Sequence, residues 1–259
     1  MAMRGQMLRG ILLCLLFVCS FNTASSQTWS SIRPGLQWFE GTFFDQSTPV
    51  SFVLFRVNPK LNVVRVIDTK QELSAENSFS EFSLREIRQK TKATIVVNAG
   101  STKTFSFPDP LGLLKVKGKL VSRTNAQTPH GGVLCLSGRA VSILPASSNP
   151  ESKCTEAVQR GPLLPPTFRA FTSDWNVRSQ RTMFAVDSEG QLLILTTRTS
   201  SSLAGAASFL YNQRPDLHIQ TILNMDGSGS SGLLFGMSTA DTLTVGNVSS
   251  LVASALAIY

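Results

Sequence analysis

Residues 222–235 read ILNMDGSGSSGLLF, an apolar run that ends in an aspartate, a turn rich in glycine and serine, and a second apolar run. The letters G-x-G-x-x-G of nucleotide-binding loops fit the glycines at positions 227, 229 and 232. A dinucleotide loop, however, leads into a helix and then into a strand that ends in an acidic residue about 20 residues later. In this chain the glycines lead into the strand-like run Leu233–Phe235, and the next acidic residue, Asp241, follows much sooner. The stretch therefore does not predict a nucleotide site.

The same turn does not carry a serine nucleophile either. The G-x-S-x-G motif of serine hydrolases would need serine at position 229, which is glycine, and His130 and His218 both precede the turn. What remains is a strand that ends at Asp226 and a tight glycine turn. Successive backbone N–H groups in such a turn can hold an anion, and glycine lets the backbone approach a ligand closely. A hairpin loop without a ligand is the alternative, and these residues alone do not separate the two.

Most apolar segments of the chain are short and are separated by Gly, Pro, Asn or Ser, as in strands joined by tight turns. The segments that predict hairpins are 51–57 with 61–68, 113–116 with 120–122, 132–136 with 141–144, and 183–186 with 192–197. The pattern predicts an α+β protein, a single domain with a mainly antiparallel mixed sheet and a few helices.

Few segments have the spacing of a helix. Residues 83–92 predict one, because Leu84 and Ile87 are helically spaced and Ser83 with Glu86 forms a capping-box pattern. The Ala-rich segment 202–213 predicts another. Residues 145–180 contain several prolines and many polar residues, and they predict a long irregular connection.

The N-terminus has the pattern of an export signal. Arg4 and Arg9 precede the apolar run Ile11–Phe21, and the small residues Ala24–Ser26 follow it. We expect a signal peptide at residues 1–26, a mature domain at 27–259, a secreted or periplasmic location, and no stable membrane anchor after cleavage. An uncleaved anchor is the less favoured alternative, since the apolar run is short for a bilayer.

Charge and cysteine content narrow the partners and the chemistry. The formal net charge is +8, but the basic residues are scattered, so nucleic acid is not an expected partner. After signal cleavage Cys135 and Cys154 remain, and an oxidising compartment favours a disulfide between them over two buried free thiols. The histidines share no metal-ligand spacing, and we expect neither a metal nor a cofactor.

Several blocks of the chain together resemble the phosphodiester glycosidase family. The glycine stretch is similar to that family's NLDGGGS signature, and further blocks follow in the family's order over roughly residues 50–259. These blocks are TIVVNAGSTKTFSFPDPLGLLKVKGKLVS (94–122), TNAQTPHGGVLCLSG (124–138), QRGPLLPP (159–166), RTMFAVDSEGQLLILTTR (181–198) and VGNVSSLVASALAIY (245–259). The family's paired phenylalanines after Asn-Ala-Gly are replaced by Ser101 and Thr102.

The resemblance implies an exported glycosidase that hydrolyses a sugar-1-phosphodiester, with a small-molecule or glycan substrate that carries the phosphodiester. Asp226 would be the carboxylate at the sugar, Arg181 would be a bidentate clamp for the phosphate, and Asn98 would bind sugar hydroxyls or orient the carboxylate. The residues expected to bind substrate are Gly227, Ser228, Gly229 and Ser230, supplemented by Lys103 and Arg160. A non-catalytic envelope protein that binds phosphorylated glycan or polysaccharide in the same pocket is the alternative.

The export signal and the cysteines predict the covalent form of the mature protein. We expect the exported chain to begin near Gln27 and to carry a Cys135–Cys154 bridge. Intact-mass analysis of freshly exported protein, with and without reductant, checks both features. An unprocessed N-terminus would contradict the signal peptide, and two free thiols would contradict the bridge.

Overall fold

The computed structural model describes residues 28–70, 82–101, 110–125, 131–166, 173–237 and 242–259. Every strand pair in these ranges is antiparallel, and strands predominate over helices. The predicted α+β class with a mainly antiparallel sheet is therefore confirmed. The predicted signal peptide lies outside the described residues. Within the described ranges, no helix has the length and apolar character that crossing a membrane would require.

Short strands make up most of the described chain. In chain order they are β1 (Ser30–Arg33), β2 (Leu36–Asp45), β3 (Thr48–Val57), β4 (Val64–Asp68), β5 (Phe82–Ser83), β6 (Ile95–Asn98), β7 (Leu114–Val116), β8 (Lys119–Ser122), β9 (Gly132–Ser137), β10 (Ala140–Pro145), β11 (Glu156–Arg160), β12 (Leu163–Leu164), β13 (Thr182–Asp187), β14 (Leu192–Thr197), β15 (Ile219–Asn224), β16 (Gly232–Phe235), β17 (Leu243–Gly246), β18 (Leu251–Val252) and β19 (Ser254–Ile258). The helices are α1 (Leu84–Thr91), α2 (Pro150–Lys153) and α3 (Leu203–Ser208), and α3 continues as a π-helical turn over Phe209–Gln213.

The strands are distributed over three main sheets. The first sheet has the order β1-β2-β3-β14-β13-β15-β12, the second β17-β16-β6-β19-β4, and the third β10-β9-β11-β7-β8, while β18 and β5 form a two-stranded ribbon. The chain passes from the first sheet to the second between β15 and β16. The glycine turn of residues 226–231 is this passage, so it lies where two sheets meet.

The first sheet is buried on both faces. Val53 and Phe55 of β3 face a large core that also takes Val97 from the second sheet and Leu134 from the third. Phe52, which alternates with them, packs into a separate core with residues of α3 and its π-helical turn. Since successive side chains of a strand point to opposite faces, the unbroken apolar run of β3 reflects a strand covered on both sides.

Helix α1 forms as its sequence predicts. The Ser83 hydroxyl accepts from the Glu86 backbone N–H at 3.4 Å, and the Glu86 carboxylate accepts from the Ser83 backbone N–H at 2.8 Å. Leu84 and Ile87 are buried against the second sheet's outer core. The capping box and the helical apolar spacing thus both hold.

Of the four predicted hairpins, three are confirmed and one is wrong. β7–β8, β9–β10 and β13–β14 pair as expected, and Lys117 and Gly118 both have positive φ in the first of these turns. Residues 51–57 and 61–68 do not pair with each other, because β3 pairs with β2 and β14, whereas β4 pairs with β19. Leu61 and Asn62 donate their backbone N–H groups to the Asn58 carbonyl, and this turn directs the chain into another sheet.

The irregular connection predicted for residues 145–180 is partly wrong. β11 runs through it and pairs with β9 and β7 in the middle of the third sheet. The sequence did not indicate this strand, because it contains the polar residues Glu156 and Gln159. In the structure both side chains are buried, and specific hydrogen bonds satisfy them. The Glu156 carboxylate accepts from the Val66 N–H at 2.7 Å, and the Gln159 side-chain oxygen accepts from the Leu113 N–H at 2.9 Å.

The two cysteines of the mature chain form a disulfide. Cys135 lies on β9 and Cys154 directly follows α2, and both are buried. The predicted bridge is confirmed over the alternative of two free thiols. It joins residues 19 positions apart in sequence.

Removing this bridge should lower stability without abolishing the fold. A loop of this length corresponds to about 3 kcal/mol in the chain-entropy treatment. We expect the variant with Cys135→Ser and Cys154→Ser to lose about this much free energy of unfolding in a urea titration. Reduced wild-type protein is the matched control and should behave alike, whereas an unchanged midpoint in both would contradict the expectation.

Candidate active site

The end of β6, the start of β13 and the loop after β15 meet around one buried side chain, Asn98. Its side-chain N–H donates to the backbone carbonyl of Asp226 at 2.7 Å. Its side-chain oxygen accepts from the Thr182 hydroxyl at 2.7 Å and from the Gly232 backbone N–H at 3.0 Å. One amide therefore connects both sheets to the two ends of the glycine loop, the segment of residues 226–231.

The burial of Asn98 decides which of its expected roles fits. The residue has no exposed surface, and both the oxygen and the nitrogen of its amide form hydrogen bonds with neighbouring protein groups. A side chain in this position does not reach a sugar hydroxyl. Its side-chain N–H holds the backbone carbonyl of Asp226 in place.

The glycine loop has few free backbone donors. The N–H of Ser228 donates to the Gln180 carbonyl at 3.0 Å, that of Ser230 to the Gly227 carbonyl, and that of Ser231 to the Ser228 carbonyl. Ser228 itself adopts a positive φ of 57°. Within the described part of the chain, the N–H groups of Gly227 and Gly229 have no such acceptor. The expected anion cradle is thereby reduced to these two N–H groups and the neighbouring serine hydroxyls.

The Asp226 carboxylate forms an ion pair with Arg160, which lies at the end of β11. The distance between Asp226 Oδ1 and Arg160 Nη2 is 2.8 Å, and the side chains are 20% and 26% exposed. The sequence suggested Arg160 as a supplementary phosphate ligand. The structure places its guanidinium on the carboxylate itself, so a third sheet contributes to the site.

Arg181 lies next to Gly227 of the glycine loop. Its Nε donates to the Ser201 carbonyl at 3.1 Å, and its Nη2 donates to the Val177 carbonyl. Its Nη1 is directed toward the loop, since a Cβ built on Gly227 would lie 3.9 Å from it. Burial lowers the pKa of Arg181, and the charge of Asp45 opposes that shift.

The structure thus brings Asn98, Arg160, Arg181 and Asp226 together around the glycine loop. Lys103, which was expected to supplement the phosphate site, lies outside the described residues. Thr182, which is fully buried, was not anticipated from the sequence, although its hydroxyl joins the Asn98 network and lies 3.3 Å from the hydroxyl of Ser231 in the glycine loop. Nothing about a single Thr at the start of an apolar strand signals such a role.

Ser250 is a further contact that the sequence did not indicate. Its hydroxyl donates to the Gly229 carbonyl at 2.8 Å, and it accepts from the Asn247 side chain at 2.6 Å. The segment before β18 therefore supports the outer turn of the glycine loop. The backbone carbonyl of Gly229 is held in place, which directs the neighbouring N–H groups.

Chemically, the site combines one carboxylate with two guanidinium groups and free backbone N–H donors. Such a set suits a ligand with an anionic part beside a centre that gains positive charge. Within the described ranges, no group of three or more His, Cys, Asp and Glu residues is arranged to hold a metal ion.

Comparison with known proteins shows which family and which solved structures the chain is similar to. The model of the phosphodiester glycosidase family matches residues 91–259. The catalytic domain of zebrafish N-acetylglucosamine-1-phosphodiester alpha-N-acetylglucosaminidase, auto-inhibited by its pro-peptide, has a similar fold, with a TM-score of 0.66 and 17% identity over 89% of this chain and 85% of that chain. No curated protein sequence matches significantly.

Two other solved structures have related folds. A hypothetical protein from Synechocystis gives a TM-score of 0.64 with 14% identity, and the match covers 91% of this chain but only 64% of that chain. A putative exported protein from Burkholderia pseudomallei gives a TM-score of 0.52 with 13% identity over 81% of this chain and 74% of that chain. At such identities the similarity concerns the fold.

The buried amide of Asn98 should matter greatly for stability. Asn98→Ala leaves the Thr182 hydroxyl, the Gly232 N–H and the Asp226 carbonyl without their partner, and we expect a loss of about 3 kcal/mol. Chemical denaturation measures it. The control Asn212→Ala removes an exposed bond to Ser208 and should change stability by less than about 0.5 kcal/mol. Equal effects in both variants would contradict the connecting role of Asn98.

Proposed function

The chain belongs to the phosphodiester glycosidase family, a family of hydrolases, and we propose that it cleaves the bond between the anomeric carbon and the phosphate of a sugar-1-phosphodiester. The observation that carries this proposal is the ion-paired Asp226 beside a glycine loop with free N–H donors and the Nη1 of Arg181. The substrate is a small molecule or a glycan that carries such a phosphodiester.

Asp226 acts at the sugar. Cleavage of a glycosidic bond passes through a transition state in which the anomeric carbon becomes positively charged. A carboxylate beside that carbon stabilises the charge, and it can also attack the carbon or activate water. Asp226 is partly exposed, and Asn98 holds its backbone, so the carboxylate can face a ligand from a fixed base.

The glycine loop and Arg181 act at the phosphate. Several donor groups lie at the same turn. They are Nη1 of Arg181, the backbone N–H groups of Gly227 and Gly229, and the hydroxyls of Ser228 and Ser230. Together they would hold the non-bridging oxygens of the phosphate and stabilise the charge that it gains on leaving. Because only Nη1 of Arg181 is directed at the loop, this arginine offers one donor rather than a fork.

Arg160 contributes to both parts of the site. Its pair with Asp226 fixes the direction of the carboxylate, and its charge adds to the positive field around the phosphate. Its Nε is buried and has no partner among the described residues.

The leaving group explains why the site needs little acid catalysis. Water is added across the bond, the sugar takes the hydroxyl, and the phosphate leaves as a monoester, which takes the remaining proton or releases it to solvent. A phosphate monoester is already a stable anion, so it requires less protonation than an alcohol would. The cationic groups and N–H donors around the loop supply the stabilisation instead.

Export is part of the proposal. The N-terminal pattern of residues 1–26 is that of a signal peptide, and the disulfide suits an oxidising compartment. The enzyme would then act on substrates outside the cytoplasm, as a secreted or periplasmic protein. The pro-peptide of the zebrafish enzyme is a property of that protein and is not assigned to this chain.

Two substitutions separate the sugar role from the phosphate role. Asp226→Asn should abolish turnover of an N-acetylglucosamine-1-phosphodiester while changing ligand affinity by less than about tenfold, because the amide keeps the shape but not the charge. Arg181→Ala should weaken both binding and turnover, because it removes charge that holds the phosphate in the ground state and the transition state. Steady-state kinetics with calorimetric binding checks both.

Arg214→Ala is the matched control for the arginine, since Arg214 pairs with the nearby Asp216 away from the site. It should leave kinetics unchanged. If Asp226→Asn keeps most of the wild-type turnover number, the carboxylate is structural. If wild-type protein binds the ligand without any turnover of sugar phosphodiesters, the non-catalytic glycan-binding alternative is favoured.

A further inference from the structure

Asp45 is a buried carboxylate at the edge of the first sheet. It ends β2, at the tip of the β2–β3 hairpin, and its residue surface is only 2% exposed. A carboxylate this deeply buried needs several donors to remain favourable. The donors that it has come from two segments on either side of the β13–β14 hairpin.

The bonds of Asp45 link these two segments. Oδ2 accepts from Arg178 Nη1 at 2.7 Å and from the Ser202 backbone N–H at 2.7 Å. Oδ1 accepts from the Ser202 hydroxyl at 2.9 Å. The Ser202 hydroxyl in turn accepts from the Gly205 N–H as the N-cap of α3. One carboxylate therefore fixes the segment before β13 and the start of α3 at once.

The close approach of Asp45 to α3 requires a glycine at position 205. A Cβ built on Gly205 would lie within 2.8 Å of three side-chain atoms of Asp45. Real Cβ atoms do not come so close, so only glycine fits at this helical position. The first turn of α3 thus accommodates the carboxylate.

The linked segments supply both carbonyls that hold Arg181. Ser179 and Ser201 pair as an isolated bridge, with mutual N–H to carbonyl bonds of 3.1 and 2.8 Å. The Ser201 carbonyl accepts from Arg181 Nε, and the Val177 carbonyl accepts from Arg181 Nη2. Val177 directly precedes Arg178, which pairs with Asp45. Each carbonyl therefore belongs to a residue whose next neighbour in the chain bonds directly to Asp45. That neighbour is Arg178 for Val177 and Ser202 for Ser201.

We propose that Asp45 is a positioning residue for the active site, which fixes the Val177 and Ser201 carbonyls so that Nη1 of Arg181 points at the glycine loop. The inference rests on the proposed function for its catalytic consequence. It also deepens that function, because recognition of the phosphate by Arg181 then depends on the Asp45 carboxylate, which acts through Arg181 rather than on the substrate.

Electrostatics supports the same assignment. Burial disfavours the charged form of Arg181, and Asp45 is the group whose charge opposes this effect. An arginine stays protonated under ordinary conditions, so the loss of Asp45 would not neutralise it. The expected consequence is a displaced guanidinium, and misplacement of a substrate-binding group by about 1 Å can reduce the rate by about 100-fold.

The test compares Asp45→Asn with Asp187→Asn. Asp187 is similarly buried, at 3% exposure, but it lies at the far end of β13, where it accepts from Glu189 and Gln191. Turnover is measured with an N-acetylglucosamine-1-phosphodiester and with an uncharged aryl glycoside of the same sugar. We expect Asp45→Asn to lower kcat/KM for the phosphodiester about 10- to 100-fold more than for the aryl glycoside. Asp187→Asn should show no such selectivity.

A double-mutant cycle with Arg181→Ala isolates the coupling. If Asp45 acts through Arg181, adding Asp45→Asn to Arg181→Ala should cost little more phosphodiester activity. Additive losses, or equal losses on both substrates, would show a merely structural role and overturn the proposal.

A readout without substrate separates this inference from the proposed function. The Nε–H of Arg181, which donates to Ser201, should lose protection from hydrogen exchange in Asp45→Asn but not in Asp187→Asn, as followed by NMR of 15N-labelled arginine. Unchanged protection overturns the inference whether or not the wild type is active. Lost protection in a protein without turnover supports the positioning role and contradicts the enzyme. If Asp45→Asn does not fold, Arg178→Ala breaks the same link at a more exposed residue and should shift both readouts in the same direction.

Discussion

The structure depends on one constraint at the place where its sheets meet, the hydrogen-bond satisfaction of the buried Asn98 amide. A buried polar side chain is tolerated only when its donors and acceptors are paired, and the partners of this one are Thr182, Gly232 and the Asp226 carbonyl. Each partner belongs to a different strand or to the loop between strands. The same bonds that make the burial favourable therefore fix the position of the proposed catalytic carboxylate.

The remaining polar contacts extend outward from this centre in two directions. Toward the third sheet, Arg160 at the end of β11 pairs with Asp226, so the sheet that contains the disulfide also contributes to the site. Toward the first sheet, Arg181 is held by carbonyls whose segments are linked by Asp45. The guanidinium groups of Arg160 and Arg181 thus have separate supports.

The sequence was informative wherever a local rule governs the backbone. The Ser83–Glu86 capping box, the Lys117-Gly118 turn and the β13–β14 hairpin depend on neighbours within a few residues, and all formed as expected. It failed where long-range partners decide. β4 pairs with β19 at the end of the chain rather than with the nearby β3, and β11 carries buried Glu156 and Gln159 whose bonds come from Arg65, Val66 and Leu113.

For this protein the sequence by itself determined the α+β class, three of the four predicted hairpins, the cysteine pair and, through family resemblance, Asp226, Arg181 and Asn98 as candidates. Only the tertiary structure decided which groups each of them contacts. Asn98 is buried and orients the loop, and Arg160 pairs with the Asp226 carboxylate. Asp45, which no sequence motif indicates, interacts electrostatically with Arg181. The physical reason is that burial and pairing of polar groups depend on which strands meet in space, and residues more than a hundred positions apart in the chain, such as Asp45 and Arg178, carry no local signal of their contact.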